Sequence, residues 1–166
     1  MENRFKASSE SAMCDACSIR RPGEFMTTEQ LGRPLPELSE MNSYFWTGGR
    51  NGSLQIRRCG DCGTWHHPYQ GACHVCGSRN VGPQAVSGRG TVVAVTINHQ
   101  PWFPHVPVPY VIALVELEEQ LDIRLMTNLV DVPVTDAGAG IAVEVCFEQY
   151  GEIFVPQFRR VGGAAK

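Results

Sequence analysis

Two short stretches of this 166-residue chain have the residue types and spacing to hold a metal: Cys59-Gly60-Asp61-Cys62-Gly63 and Cys73-His74-Val75-Cys76-Gly77, with ten residues between Cys62 and Cys73. Two residues between thiols let both sulfurs of a tight turn reach one ion. The glycine after each pair can take a positive φ, which aims backbone N–H groups at the sulfurs. Two such turns supply four thiolates at about 2.3 Å in a tetrahedron, the arrangement Zn²⁺ accepts. Four thiolates also close the shell to water, so Cys59, Cys62, Cys73 and Cys76 predict a structural site and not a catalytic one. An iron centre of the rubredoxin type would use the same ligands. His66, His67 and His74 are nearby alternatives, expected to pack or face solvent because the four cysteines already fill the shell.

The remaining chemistry is thin, and no catalytic residue is assigned. Cys146 sits on the Glu144/Glu148 face of its segment, where carboxylates discourage a thiolate. His99 is in register with an apolar strand face and is expected to be buried and hydrogen-bonded. Cys14 and Cys17 share a CxxC spacing but lie in residues 1–25, a polar, aperiodic stretch expected to be a leader. No carboxylate pair, Ser-His-Asp set or phosphate-cradling glycine loop is evident. Residues 100–109, Gln-Pro-Trp-Phe-Pro-His-Val-Pro-Val-Pro, are too proline-rich for a helix and too aromatic for an ordinary solvent loop. Stiffened by proline, the loop would lose little entropy when Trp102, Phe103 and His105 contact a partner or an acyl group. The alternative is that its aromatics fold back over the barrel mouth.

Hydrophobic residues at 43% and charged residues at 19% exclude a disordered chain. A net charge of −3 argues against an electrostatic nucleic-acid binder. No apolar run is long enough to span a bilayer. Seven cysteines without an export signal suit the reducing cytoplasm, with thiols serving metal in place of disulfides. Charge is uneven along the chain. Residues 48–90 carry five arginines against Asp61, a net of +4. Residues 91–160 carry three arginines against nine acids, a net of −6.

The elements that must position these groups follow from pattern. Pro36 suits a helix start, Leu38, Met41 and Phe45 form one apolar stripe with Trp46 beside it, and Gly48-Gly49 can end the helix. This places an N-terminal helix within residues 30–50. Residues 51–87 read as a zinc ribbon of short β segments. Residues 88–160 read as five strands: 91–99, 110–117, 121–130, 143–148 and 153–159. Five short strands in about 70 residues suit a small closed barrel, followed by a tail over 161–166. Strand 110–117 is apolar almost throughout, so its outer side is expected to be covered by the helix, the ribbon or another chain. The fold class is therefore mainly β: short N-terminal helix, rubredoxin-like zinc ribbon, five-stranded OB-fold barrel.

That order of parts resembles the zinc-ribbon plus OB-fold family known as domain of unknown function thirty-five. The resemblance covers residues 30–160 and rests on Tyr44-Phe45-Trp46, Leu54-Gln55-Ile56-Arg57-Arg58-Cys59, both cysteine pairs, Gly88-Arg89-Gly90-Thr91-Val92, the run from Pro109 to Leu117, and Met126-Thr127-Asn128-Leu129-Val130. It implies an accessory subunit that binds a thiolase-fold, lipid-transfer-protein-like enzyme as a hetero-oligomer and helps form an acyl-CoA site. The reaction would be retro-aldol cleavage of a steroid side-chain CoA thioester, or acyl transfer. Phe45, Trp46, Arg57, Arg58, Trp102, Phe103 and His105 are the expected contacts with partner or acyl-CoA. The alternative function is a single-stranded nucleic-acid module, which would need a basic groove with stacking aromatics.

Overall fold

The computed structural model describes residues 33–68, 70–103 and 106–162. The expected leader with its Cys14/Cys17 pair, His105, and positions 163–166 of the expected tail lie outside the described residues. Among the described residues one helix, α1 (Ser43–Thr47), runs into a 3-10 turn over Gly48–Asn51. Eight strands follow: β1 (Gln55–Cys59), β2 (Trp65–His66), β3 (Val81–Ala85), β4 (Arg89–Asn98), β5 (Tyr110–Leu117), β6 (Arg124–Val130), β7 (Ala142–Tyr150) and β8 (Ile153–Arg160).

The helix is shorter than its apolar stripe predicts. Asn42 accepts a bond from the Ser39 N–H at 2.8 Å and donates to the Glu37 carbonyl at 3.0 Å. Such side-chain bonds offer the backbone an alternative to helix, and α1 begins only after them. Leu38 and Met41 are consequently exposed, and of the predicted stripe only Phe45 packs against the core.

β1 pairs with both β2 and β3, giving the ribbon sheet in the order β2-β1-β3. The other five strands close a barrel in the order β4-β5-β6-β8-β7. All its pairs are antiparallel except β6 with β8. The inner residues Val92, Val111, Ala113, Val115, Leu125, Val143 and Phe158 share one core with Leu54, Ile56 and Trp65 of the ribbon. The β5–β6 turn latches the two lobes together. Gln120 accepts from the Trp65 N–H at 2.9 Å and Glu119 from the Ser87 N–H at 2.5 Å.

Three strand expectations need correction. In β4 the register shifts between Val92 and Ala94, so Val93 is an extra residue and the inward face changes parity there. Such a bulge bends a strand toward closure. His99 keeps the parity of the half-buried Val93, Val95 and Ile97 but is not a buried strand residue. β4 ends at Asn98, whose side chain donates to the Gln100 carbonyl at 2.7 Å, and His99 is exposed. The strand predicted from residue 121 starts at Arg124, because Asp122 adopts φ 67° and directs its N–H to Glu116.

β5 alternates buried and half-buried residues, so the described residues cover its outer side only in part. The strand with consecutive buried residues is β8, from Phe154 to Phe158, against which α1 and the 3-10 turn pack. Gly49 makes that approach possible: a Cβ there would lie 2.5 Å from both Phe147 and Phe154.

Candidate functional site

The two cysteine turns are built alike. The Cys59 N–H donates to the Thr64 carbonyl and the Gly63 N–H to the Cys59 carbonyl, at 2.8 and 2.9 Å. In the second turn Cys73 donates to Ser78 and Gly77 to Cys73, both at 2.8 Å. Gly63 and Gly77 take φ 77° and 74°, as the turn requires. Their own N–H groups serve carbonyls; the backbone bonds that reach sulfur come from the next residues, Thr64 to Cys62 and Ser78 to Cys76. Asp61 ties the turns together, accepting from Ser78 at 2.6 Å and Asn80 at 2.8 Å, and these bonds hold its carboxyl below the usual range.

The folded turns bring the four sulfurs within 4.8 Å of one another. Cys59 and Cys76 stand 3.7 Å apart, and Cys62 and Cys73 stand 3.5 Å apart. A tetrahedron with Zn–S of about 2.3 Å has edges of about 3.8 Å, so the donor set fits zinc. The electrostatics agree. The Thr64 hydroxyl, 3.2 Å from Cys62, and then the Thr64 backbone draw the Cys62 thiol down to about 6. Cys76 goes the opposite way. The Ser78 backbone favours its thiolate, but Cys62, burial, Cys73 and Cys59 together push it up to about 12. Sulfurs this close cannot all ionise unless a cation lies among them, and a divalent metal supplies that charge.

His74, between Cys73 and Cys76, places its Nδ1 3.1 Å from Nδ1 of the buried His66. Burial, then the His74 charge, lower the His66 pKa. The expectation that these rings pack instead of ligating agrees with this geometry. The next residue, His67, stacks on Phe45 with ring centroids 5.1 Å apart, and burial lowers its pKa as well.

Phe45, Trp46 and His67 form one wall of a cleft of about 310 Å³ between α1 and the barrel; Tyr110, Ile112 and Met126 lie opposite. Arg33, at its rim, pairs with Glu148 at 3.4 Å. Of the described residues expected to contact partner or acyl-CoA, the structure gathers Phe45 and Trp46 here and leaves Arg57, Arg58, Trp102 and Phe103 elsewhere. Arg57 donates to the Val81 carbonyl and lies over the Tyr44 ring at 4.7 Å. Arg58 donates to the Gly63 carbonyl and lies over Trp65 at 5.2 Å. Both brace the ribbon, and neither lines the cleft. Trp102 and Phe103 are exposed on the loop leading into Tyr110, with the Trp102 indole donating to Asn98 at 3.1 Å. Cys146 is buried. Sequence reasoning did not assign His67, Tyr110, Ile112 or Met126 to this site. The unbroken apolar run 110–117 was the available signal for Tyr110 and Ile112; the His67–Phe45 stack had none.

Among the described residues no helix is long and apolar enough to cross a membrane.

Comparison with known proteins gives a consistent picture. Residues 46–82 match the rubredoxin-like zinc ribbon domain of ChsH2, and residues 83–148 match the ChsH2 C-terminal OB-fold domain. A probable enoyl-CoA hydratase alpha subunit of Thermomonospora curvata is 34% identical over 143 residues, covering 84% of this chain and 44% of that protein. The 3-oxo-4,17-pregnadiene-20-carboxyl-CoA hydratase alpha subunit of Mycobacterium tuberculosis is 38% identical over 94 residues, 57% of this chain and 29% of that one. The chain thus spans less than half the length of these two relatives. A DUF35 domain-containing scaffold protein of Methanocaldococcus jannaschii is 33% identical over 97 residues, 57% of this chain and 67% of the relative. Among solved structures, a chain of the Ltp2-ChsH2(DUF35) aldolase superposes with a TM-score of 0.69 at 32% identity, covering 76% of this chain and 98% of its own. With both lobes matched and the four-cysteine centre assembled, the chain belongs to the DUF35 family of zinc-ribbon and OB-fold proteins.

Proposed function

We propose that this chain is a non-catalytic accessory subunit: it docks on a thiolase-fold, lipid-transfer-protein-like enzyme and helps enclose that enzyme's CoA thioester. The observation that carries this reading is the pairing of a closed four-thiolate metal site with an adjacent aromatic cleft whose one guanidinium, Arg33, is paired with Glu148. Zinc, when bound, supplies charge to hold the two turns together. The protein's own contribution is a rigid lobe, with His66, His67 and Phe45 fixed beside the barrel. An apolar wall closing over a partner's site would exclude water and strengthen the polar interactions within it.

Retro-aldol cleavage of a steroid side-chain thioester is the favoured reaction of the complex, with acyl transfer the other possibility. The name of one structural neighbour, an Ltp2-ChsH2 aldolase, supports the first reaction, and a relative named as a pregnadiene-carboxyl-CoA hydratase subunit supports a steroid CoA thioester as the ligand. The scaffold description of the Methanocaldococcus relative supports the accessory role. A nucleic-acid module fits less well, because the exposed Trp102 and Phe103 lie in a barrel segment of net −6, where such a site needs a basic groove. The test is a turnover assay on steroid side-chain CoA thioesters with the chain alone, with a purified thiolase-fold partner alone, and with both. Cleavage by the pair and none by this chain alone is expected. Turnover by this chain unaided, or no gain on mixing, would overturn the reading.

A further inference from the structure

The pairing register sets Ala94, Leu114 and Met126 abreast across β4, β5 and β6, with Thr96, Ile112 and Asn128 in the next row. None of the six is charged. Ala94 is exposed, Met126 is 79% exposed, and Ile112 and Leu114 are half-buried. The outward positions of a barrel strand are ordinarily polar, and β5 departs from this at two successive outward sites. Ile112 and Met126 also line the cleft, so the strip continues into the surface formed by Phe45 and Trp46. Apolar side chains gathered on an outward sheet face, here Ala94, Leu114, Met126 and Ile112 beside the polar Thr96 and Asn128, mark an interaction site.

The charges around the strip select among occupants. At the β5–β6 turn, Glu116 and Asp122 both bind Arg124 at 3.0 Å, leaving that trio net negative. Glu118 is exposed beside them and donates its N–H to the Arg89 carbonyl at 3.1 Å, so the exposed Arg89 adjoins this group, which stays net negative with three acids against two arginines. At the other end of β6, Asp131 is exposed. An anionic lipid surface or a nucleic-acid backbone would be repelled. A second copy of this chain would set acids against acids. A protein surface with apolar side chains between lysines or arginines satisfies both the strip and its ends.

We propose that the outer face of β5 and β6 is the docking surface of this subunit, and that the partner meets it with an apolar ridge flanked by basic residues. The proposal rests on the accessory-subunit reading and names the face through which it operates. The test uses the full zinc-loaded chain and the purified Ltp2 subunit of the homologous aldolase as probe, with affinity measured by calorimetry at several salt concentrations. Met126→Lys and Ala94→Lys are expected to weaken binding about tenfold or more. Met126→Glu should weaken it less, because the basic flanks tolerate a carboxylate. Val161→Glu, at an exposed apolar residue beyond β8, should leave it unchanged. Wild-type affinity should fall as salt rises. Zinc content and circular dichroism check that each variant folds. If both lysine variants bind as wild type does, the face is wrong while the accessory reading stands. If the wild-type chain does not bind Ltp2, the reading fails and this proposal fails with it.

Discussion

His67 shows how a single side chain can carry a measurable consequence. Burial against Phe45 disfavours its imidazolium and holds its pKa below the usual 6.5. Protonation therefore favours the unfolded chain, whose histidine titrates normally. The stabilisation from neutral His67 is complete above about pH 6.5 and is lost as pH falls through the native pKa. His67→Gln should remove that part of the slope. Urea denaturation at pH 7.5 and 5.5 should show the wild type losing more stability than the variant on acidification. Equal losses would place the ring in water. Near the metal, residue identity and spacing made the four ligands readable, because a CxxC turn carries its geometry locally. Arg57 and Arg58 were less legible as contact residues: their rings and carbonyl partners come from segments that only the ribbon fold brings near.

At the scale of elements, the short helix and its 3-10 turn matter through one close approach. Gly49 has no room for a methyl group beside Phe147 and Phe154. Gly49→Ala should overpack this contact and cost about 1–3 kcal/mol, measured by denaturant titration, with zinc content unchanged. A neutral result would mean that the turn can lift off β8 freely. Period-2 patterning made the five barrel strands visible, since each must bury one face. It missed the bulge at Val93 and the left-handed Asp122, which depend on barrel closure and on a cross-strand carboxylate. The helix was overextended for a related reason: an apolar spacing does not reveal that Asn42 has tied up the preceding turn.

Across the whole molecule, the ribbon that carries the metal site shares its core with the barrel. Leu54, Ile56 and Trp65 share the barrel core, and Gln120 clasps the Trp65 backbone. Loss of the metal should therefore weaken both lobes. Cys62→Ser, or treatment with a chelator, should empty the site and lower the melting temperature of the barrel by at least about 5 °C, an effect on the order of 1–2 kcal/mol. Metal analysis and calorimetry together check this; full occupancy in the variant, or an unchanged barrel transition, would contradict it. Sequence alone determined the ligand set, the order of ribbon and barrel, and the polarity of each segment, because turn chemistry, strand alternation and charge are written within a few neighbouring residues. Only the tertiary structure decided which aromatics share a cleft, which arginines are occupied, and which apolar residues stand abreast on the outer barrel face. Those are contacts between residues distant along the chain, and closure of the barrel against the ribbon determines them.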